Sequence, residues 1–146
     1  MISIAGDHFT VNLVNRICSY LDTKGFEYTN YGSTSEDEIV TLQEMIPKTL
    51  KPVIDQQADS AILICGTGAG VEIGANRFKR IRASLCIEAK QAKWARVYDN
   101  ANVLCLSSWL TNDPTGILEA WFSNEFDNDP GRSEMIKHFD TDKFTN

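Results

Sequence analysis

Ile62-Leu-Ile-Cys-Gly-Thr-Gly-Ala-Gly70 is the stretch on which the reading of this chain turns. Four apolar or sulfur-bearing side chains run straight into glycines alternating with Thr67 and Ala69, so a buried strand ends at Cys65 and a side-chain-poor loop begins. Glycine tolerates positive φ and lets successive backbone N–H groups converge on one small anionic group. The Cys65 thiol sits where that field acts. A strand that breaks into such a loop and then a helical segment is one joint of a βαβ chain, and the same alternation continues on both sides.

Working outward, short apolar runs predict strands over 2–5, 27–31, 61–65, 82–87 and 102–106. Val11, Val14, Ile17, Cys18 and Leu21 recur at three- and four-residue intervals, which predicts an amphipathic helix closed by Gly25. The segment 38–57 also reads as helical, but Pro47 and Pro52 lack an N–H and predict a kink or a break. Further helices are expected over 70–78 and over 89–98, the latter with Trp94 on the face that meets the sheet. Pro114 suits a helix start, with Thr111, Asn112 or Asp113 as cap, and that helix runs through 118–126. A turn at 127–131 and a short helix over 132–139 precede a polar tail. The expected fold is α/β: one domain over 1–146, a Rossmann-like three-layer sandwich around a five-stranded parallel sheet. Ligands of open parallel sheets gather at the carboxyl ends of the strands. That edge carries Asp7 and His8, Cys65 to Gly70, and Ser107 to Trp109.

Composition narrows the partners. With 146 residues, 42% hydrophobic, the chain has room for one ordinary core, and its net charge of −6 argues against nucleic acid or an anionic membrane as partner. Apolar runs fall well short of the roughly 20 residues that span a bilayer. Met1-Ile-Ser-Ile-Ala-Gly6 reads as a strand rather than a targeting segment, so a soluble cytoplasmic protein is expected. Cys18, Cys65, Cys86 and Cys105 include no close pair, and with two histidines the usual zinc spacings are missing, so no metal site is expected. Free thiols are expected, Cys18, Cys86 and Cys105 serving as small buried apolar groups.

The glycine loop matches neither nucleotide signature in full. The dinucleotide fingerprint belongs after the first strand, and the phosphate loop requires Gly-Lys-Ser/Thr, whereas Gly70 is followed by Val71 and Glu72. Local sequence leaves the loop open between an anion site and a tight strand-to-helix turn. Asp7-His8 is equally an acid/base pair or a helix cap. Arg77, Lys79, Arg80 and Arg82 are a charged surface or an attraction for a phosphorylated ligand, and His138 reads as a surface residue.

Taken together, Ile4-Ala-Gly-Asp-His8, Tyr31-Gly32, Ala58-Asp59, the glycine loop, Ala75-Asn-Arg77, Ile81-Arg-Ala83, Ala95-Arg96, Asn100-Ala-Asn-Val-Leu104 and Pro130-Gly-Arg132 form a recognisable series. It resembles the family of type B ribose-5-phosphate isomerases and galactose-6-phosphate isomerases, over nearly the whole chain. The resemblance implies an aldose–ketose isomerase that works through a cis-enediolate with no metal and no organic cofactor. It implies Cys65 as the base, its thiolate favoured by loop N–H donors and a helix N-terminus. The backbone of Gly66, Gly68 and Gly70 would form the oxyanion site, with the Thr67 hydroxyl exchanging protons at the substrate oxygen. Asp7 and His8 would hold sugar hydroxyls and contribute to ring opening or phosphate binding, Asn100 would contact substrate, and Arg132 would be the first of two phosphate-binding arginines.

The departures are specific. Tyr98 stands where most ribose-phosphate enzymes have a ring-opening histidine, and a phenol is a poor base near pH 7. The second arginine falls at Ile136, beside Lys137, and another after the fifth strand is Trp109. The Asp-Tyr-Pro element before the second helix is missing, and the alternative glutamate base of some relatives falls at Val71, one residue from Glu72. The resemblance therefore implies ribose 5-phosphate as the default substrate. A galactose-6-phosphate isomerase subunit, a four-carbon sugar-phosphate isomerase or a catalytically weakened partner subunit are the alternatives. Relatives build each site from two subunits, with Asn100 and the residue at Tyr98 reaching across. A homodimer or homotetramer, or a hetero-oligomer with a related chain, is expected.

Overall fold

The computed structural model describes residues 1–141. The polar tail expected at the C-terminus lies, from residue 142 onward, outside the described residues. The elements follow the order β1 (Ile2–Gly6), α1 (Val11–Lys24), β2 (Tyr28–Asn30), α2 (Leu42–Ile54), β3 (Ser60–Cys65), α3 (Ala69–Ala75), β4 (Ala83–Leu85), α4 (Ala89–Asp99), β5 (Val103–Ser107), α5 (Thr115–Phe122) and α6 (Pro130–Phe139). All strand pairs are parallel, in the order β2-β1-β3-β5-β4. The α/β architecture with a five-stranded parallel sheet is therefore the one expected.

Every residue of β1, β3 and β5 is buried, as a sheet covered on both faces requires. Strand alternation divides the core in two. Ile4, Ile62, Ile64, Leu104 and Leu106 pack with residues of α1, α4 and α5, while Leu63, Cys65, Val103 and Cys105 pack with α2 and α3. Cys65, the last residue of β3, thus belongs at once to the core layer under α3 and to the loop.

Several details depart from the sequence reading: α3 ends at Ala75 rather than 78, β4 is limited to Ala83–Leu85, and α6 already begins at Pro130. α2 runs unbroken over Leu42–Ile54 despite Pro47 and Pro52. Glu44 closes its first turn by accepting from the Thr41 N–H and hydroxyl, and Met45, Ile46, Leu50 and Pro52 are buried, so packing and capping hold it together. Trp94 does not join the core: it is 47% exposed, and α4 packs instead through Ala92 and Ala95, with α5 as its main neighbour. α5 stops at Phe122 rather than reaching 126. Elsewhere local chemistry acts as anticipated. Gly25 ends α1 at φ 74, and the Asp113 carboxylate accepts from the Thr115 N–H at 3.0 Å.

Candidate active site

Gly6 aligns with Ile64, and Cys65 with Ser107, so the carboxyl ends of β1, β3 and β5 bring three loops to one edge. The loop after β5 is stitched to the glycine loop by backbone and hydroxyl bonds. Ser108 N–H donates to the Cys65 carbonyl at 3.0 Å, and the Ser107 hydroxyl to the Gly66 carbonyl at 2.7 Å. Gly68 is the residue that lets the loop turn: its φ is +75, and a Cβ there would lie 3.0 Å from the Leu106 carbonyl carbon and the Ser107 nitrogen.

The turn aims the Gly68 N–H at the Cys65 Sγ, 3.2 Å away. The Thr67 hydroxyl lies 3.9 Å from the same sulfur and accepts from the Ala69 N–H at 3.2 Å. Cys65, Gly66, Thr67 and Gly70 line an open cleft of about 630 Å³ together with Asp7, Phe9, Leu42 and Trp109. Polar and apolar groups are interleaved there: Trp109 lies against Gly66, and Leu42 against Gly70 beside the thiol. The other thiols have a different character. Cys86 and Cys105 are wholly buried, which pushes Cys86 up to about 11 and Cys105 well above the ordinary thiol range, and partial burial raises Cys18. All four cysteines are free.

Asp7 does not cap α1. Its Oδ1 accepts from the Phe9 N–H at 3.1 Å, and its carbonyl receives the Thr10 N–H and hydroxyl, each at 3.0 Å, so it closes its own turn at the cleft rim. His8 lines an adjoining depression with Phe9, Glu36 and Asp37, and its Nδ1 is buried with no hydrogen-bond partner among the described residues. Glu72 is occupied elsewhere: its carboxylate accepts from the Leu85 N–H at 2.8 Å and ties α3 to β4, while Val71 is fully buried.

Tyr98, Asn100 and Arg132 form a second group. α4 runs from the end of β4 back to the start of β5, so its C-terminal end lies at the amino edge of the sheet, opposite Cys65. There Asn100 caps α4 at φ 47, and the Arg132 guanidinium lies 4.9 Å over the Tyr98 ring. Asp127 binds Arg132 through both carboxylate oxygens; the pairing holds the Asp127 carboxyl below its usual range and raises Arg132. Ile136, one turn along α6, is buried in the core, and Lys137 lies 3.8 Å from Glu134. Arg82 is not part of an anion-attracting surface. It donates to the Asn100 carbonyl at 2.7 Å and pairs with Asp140 at 2.9 Å.

Phe9 and Leu42 as cleft walls, and Asp127 as partner of Arg132, are absent from the sequence reading. Phe9 directly follows Asp7-His8 and is 81% exposed, a position whose neighbours pointed to it; nothing local pointed to Leu42, which arrives from α2.

A parallel α/β sheet that presents a thiol, a hydroxyl and a glycine loop at its carboxyl edge defines a class of small-molecule enzyme folds. Within that class the chain belongs to the family described as Ribose/Galactose Isomerase, whose model matches residues 2–138. It is 39% identical, over 80% of its own length and 77% of the relative's, to a Mycoplasma genitalium protein named "Probable ribose-5-phosphate isomerase B". It is 31% identical to the D-erythrulose-4-phosphate isomerase of Pectobacterium atrosepticum, over 86% and 84% of the two chains. The crystal structure of a ribose 5-phosphate isomerase from Thermotoga maritima superposes with a TM-score of 0.90 at 35% identity, covering 95% of this chain and 96% of that one. Among the described residues no helix is long and apolar enough to cross a membrane, and no three His, Cys, Asp or Glu side chains are grouped to hold a metal ion.

Proposed function

We propose that this protein is an aldose–ketose isomerase of a phosphorylated sugar, acting through a cis-enediolate, with ribose 5-phosphate as its default substrate. The observation that carries it is the Cys65 sulfur at the cleft floor, 3.2 Å from the Gly68 N–H and beside the Thr67 hydroxyl. Family membership and the names of the relatives support the same chemistry.

In the open-chain aldose, Cys65 removes the proton at C2, and the electron pair moves through C1 to the carbonyl oxygen, giving the enediolate. The developing negative charge falls to the loop's other backbone N–H groups, at Gly66 and Gly70, because the Gly68 N–H is directed at the Cys65 sulfur; donors fixed in advance contribute most there. The Thr67 hydroxyl relays the proton between O2 and O1, and Cys65 returns its proton to C1 to give the ketose. Asp7, at the rim, orients a sugar hydroxyl, and His8, in the depression next to the cleft, is a second polar group for the sugar or its phosphate.

The rest of the site comes from a second copy of the chain. β3 separates the two edges by about 17 Å, its six residues spanning five rises of about 3.3 Å, so one copy cannot place its own Asn100 and Arg132 against its own Cys65. In a dimer, Asn100 and the phosphate-binding Arg132 of one copy complete the cleft of the other, with Tyr98 beside them. The residues present call for no organic cofactor or metal in this chemistry.

The test is conversion of ribose 5-phosphate, galactose 6-phosphate and erythrose 4-phosphate in D₂O. Turnover of at least one, with solvent deuterium appearing at C1 of the ketose, is expected. No turnover of any overturns the proposal, as does equal turnover by Cys65→Ala, in which the base is missing.

A further inference from the structure

The arrangement around Arg132 is more elaborate than a surface arginine needs. The Asp127 N–H donates to the Val97 carbonyl at 3.1 Å, fixing Asp127 to the last turn of α4 directly beside Tyr98. The Asp127 carboxylate then receives Arg132 Nε at 3.3 Å and Nη2, while Oδ1 also accepts from the Asp129 N–H at 3.0 Å. Asp129 in turn accepts from the Arg132 backbone N–H at 3.0 Å, which fixes the first turn of α6. The Tyr98 ring closes the remaining side, under the guanidinium plane at 4.9 Å. Two segments, α4 and the loop 127–129, thus hold Arg132 at its backbone, its edge and its face.

Asp127 engages the Nε and Nη2 edge only. The Nη1 edge is left to bind an anion in the plane that the ring and the carboxylate have already set. An unrestrained arginine loses rotamer freedom when it captures an anion, and holding it in advance removes part of that loss. On α6 Ile136 is buried, and Lys137 and His138 both lie near Glu134, at 3.8 and 3.5 Å, so Arg132 is the cation of this helix that is built into a fixed frame.

We propose that Tyr98 is a positioning residue: its ring face, not its hydroxyl, holds Arg132 with the Nη1 edge presented to the substrate's phosphoryl dianion, so that one arginine binds it. This rests on the isomerase reading above for the identity of the anion. It assigns Tyr98 no proton transfer, so activity on an aldose that cannot close a stable ring is expected to exceed activity on a furanose.

Three proteins decide it: the parent, Tyr98→Phe and Tyr98→Ala, each as the full chain. The readouts are KM and kcat for whichever sugar phosphate is turned over, the inhibition constant of inorganic phosphate, and the alkaline limb of the pH profile. Tyr98 is 44% exposed, so both variants should fold. Losing a cation–π contact of this exposure should raise KM and the phosphate inhibition constant about two- to fivefold in Tyr98→Ala, with kcat less affected. Tyr98→Phe should recover most of that loss and leave the alkaline limb in place. A Tyr98→Phe enzyme as impaired as Tyr98→Ala, or one whose kcat falls and alkaline limb moves, overturns the proposal. Unchanged constants in Tyr98→Ala do so as well. If the parent turns over no sugar phosphate, the isomerase reading fails by itself. Calorimetric binding of inorganic phosphate to the same proteins then decides: weaker binding to Tyr98→Ala alone supports the positioning role, and equal or no binding in all three overturns it.

Discussion

Replacing Gly68 by alanine should damage the fold and the site together, by an amount the geometry sets. At φ +75 and ψ −22 an L-residue costs about 1–2 kcal/mol. The added methyl would also lie 2.4 Å from Leu85 Cδ1 and 3.0 Å from backbone atoms of Leu106 and Ser107. Leu85 can turn aside, but Leu106 and Ser107 belong to β5, held between β3 and β4, and cannot. Overpacking of this kind costs about 1–3 kcal/mol, giving a total near 2–5 kcal/mol, a substantial part of a stability of about 5–15 kcal/mol. At about 2–4 °C per kcal/mol for a chain of this size, the midpoint should fall by about 4–20 °C. Gly25→Ala is the matched control: φ is +74 there too, and a Cβ meets nothing within 4 Å, so it isolates the dihedral cost. Thermal melts followed by circular dichroism, with isomerase assays on the same samples, give both numbers. Gly68→Ala melting no lower than Gly25→Ala, or keeping full kcat/KM, would refute the close-packed loop as the device that aims an N–H at Cys65.

Two further outcomes follow from charge and geometry. Burial keeps Cys86 protonated up to about 11 in the folded chain, whereas the unfolded thiol ionises near 8.5. Because the folded value is raised, its stabilisation is complete below the unfolded value and is lost as pH rises through the folded one. Urea unfolding should therefore show stability falling between about pH 8.5 and 11, by up to about 3 kcal/mol; the wholly buried Cys105 acts in the same direction, and a flat profile would count against both assignments. Sedimentation at micromolar concentration should give at least twice the 16.3 kDa chain mass, and a monomer that is fully active would remove the need for a second copy at the site.

The fold and one half of the site can be read in the sequence because their causes are local. An apolar run ending in Cys-Gly-Thr-Gly leaves little choice but a buried strand and a sharp turn, and Gly25 marks a helix end by conformational freedom alone. Residues whose role depends on a distant neighbour escape such reading. Trp94 has the size of a core residue, yet α4 buries Ala92 and Ala95 and leaves the indole exposed, which no periodicity within α4 reveals. Pro47 and Pro52 signal a kinked or broken helix; of the two, the break does not occur, because the capped and buried α2 stays continuous through both. The grip of Asp127 and Tyr98 on Arg132 joins α4, a loop and α6. The resemblance marks Arg132 and Tyr98 one at a time and leaves Asp127 in a turn, and only the packing of those segments makes them one device.

The most direct measurement is the rate of sugar-phosphate isomerisation by Cys65→Ala beside the parent, at matched fold stability. Removing a general base should lower kcat by about 10²–10⁴-fold while KM, set by the proposed phosphate contacts, changes far less. Equal turnover by Cys65→Ala would contradict the assignment of this thiol as the base and, with it, the account of the glycine loop.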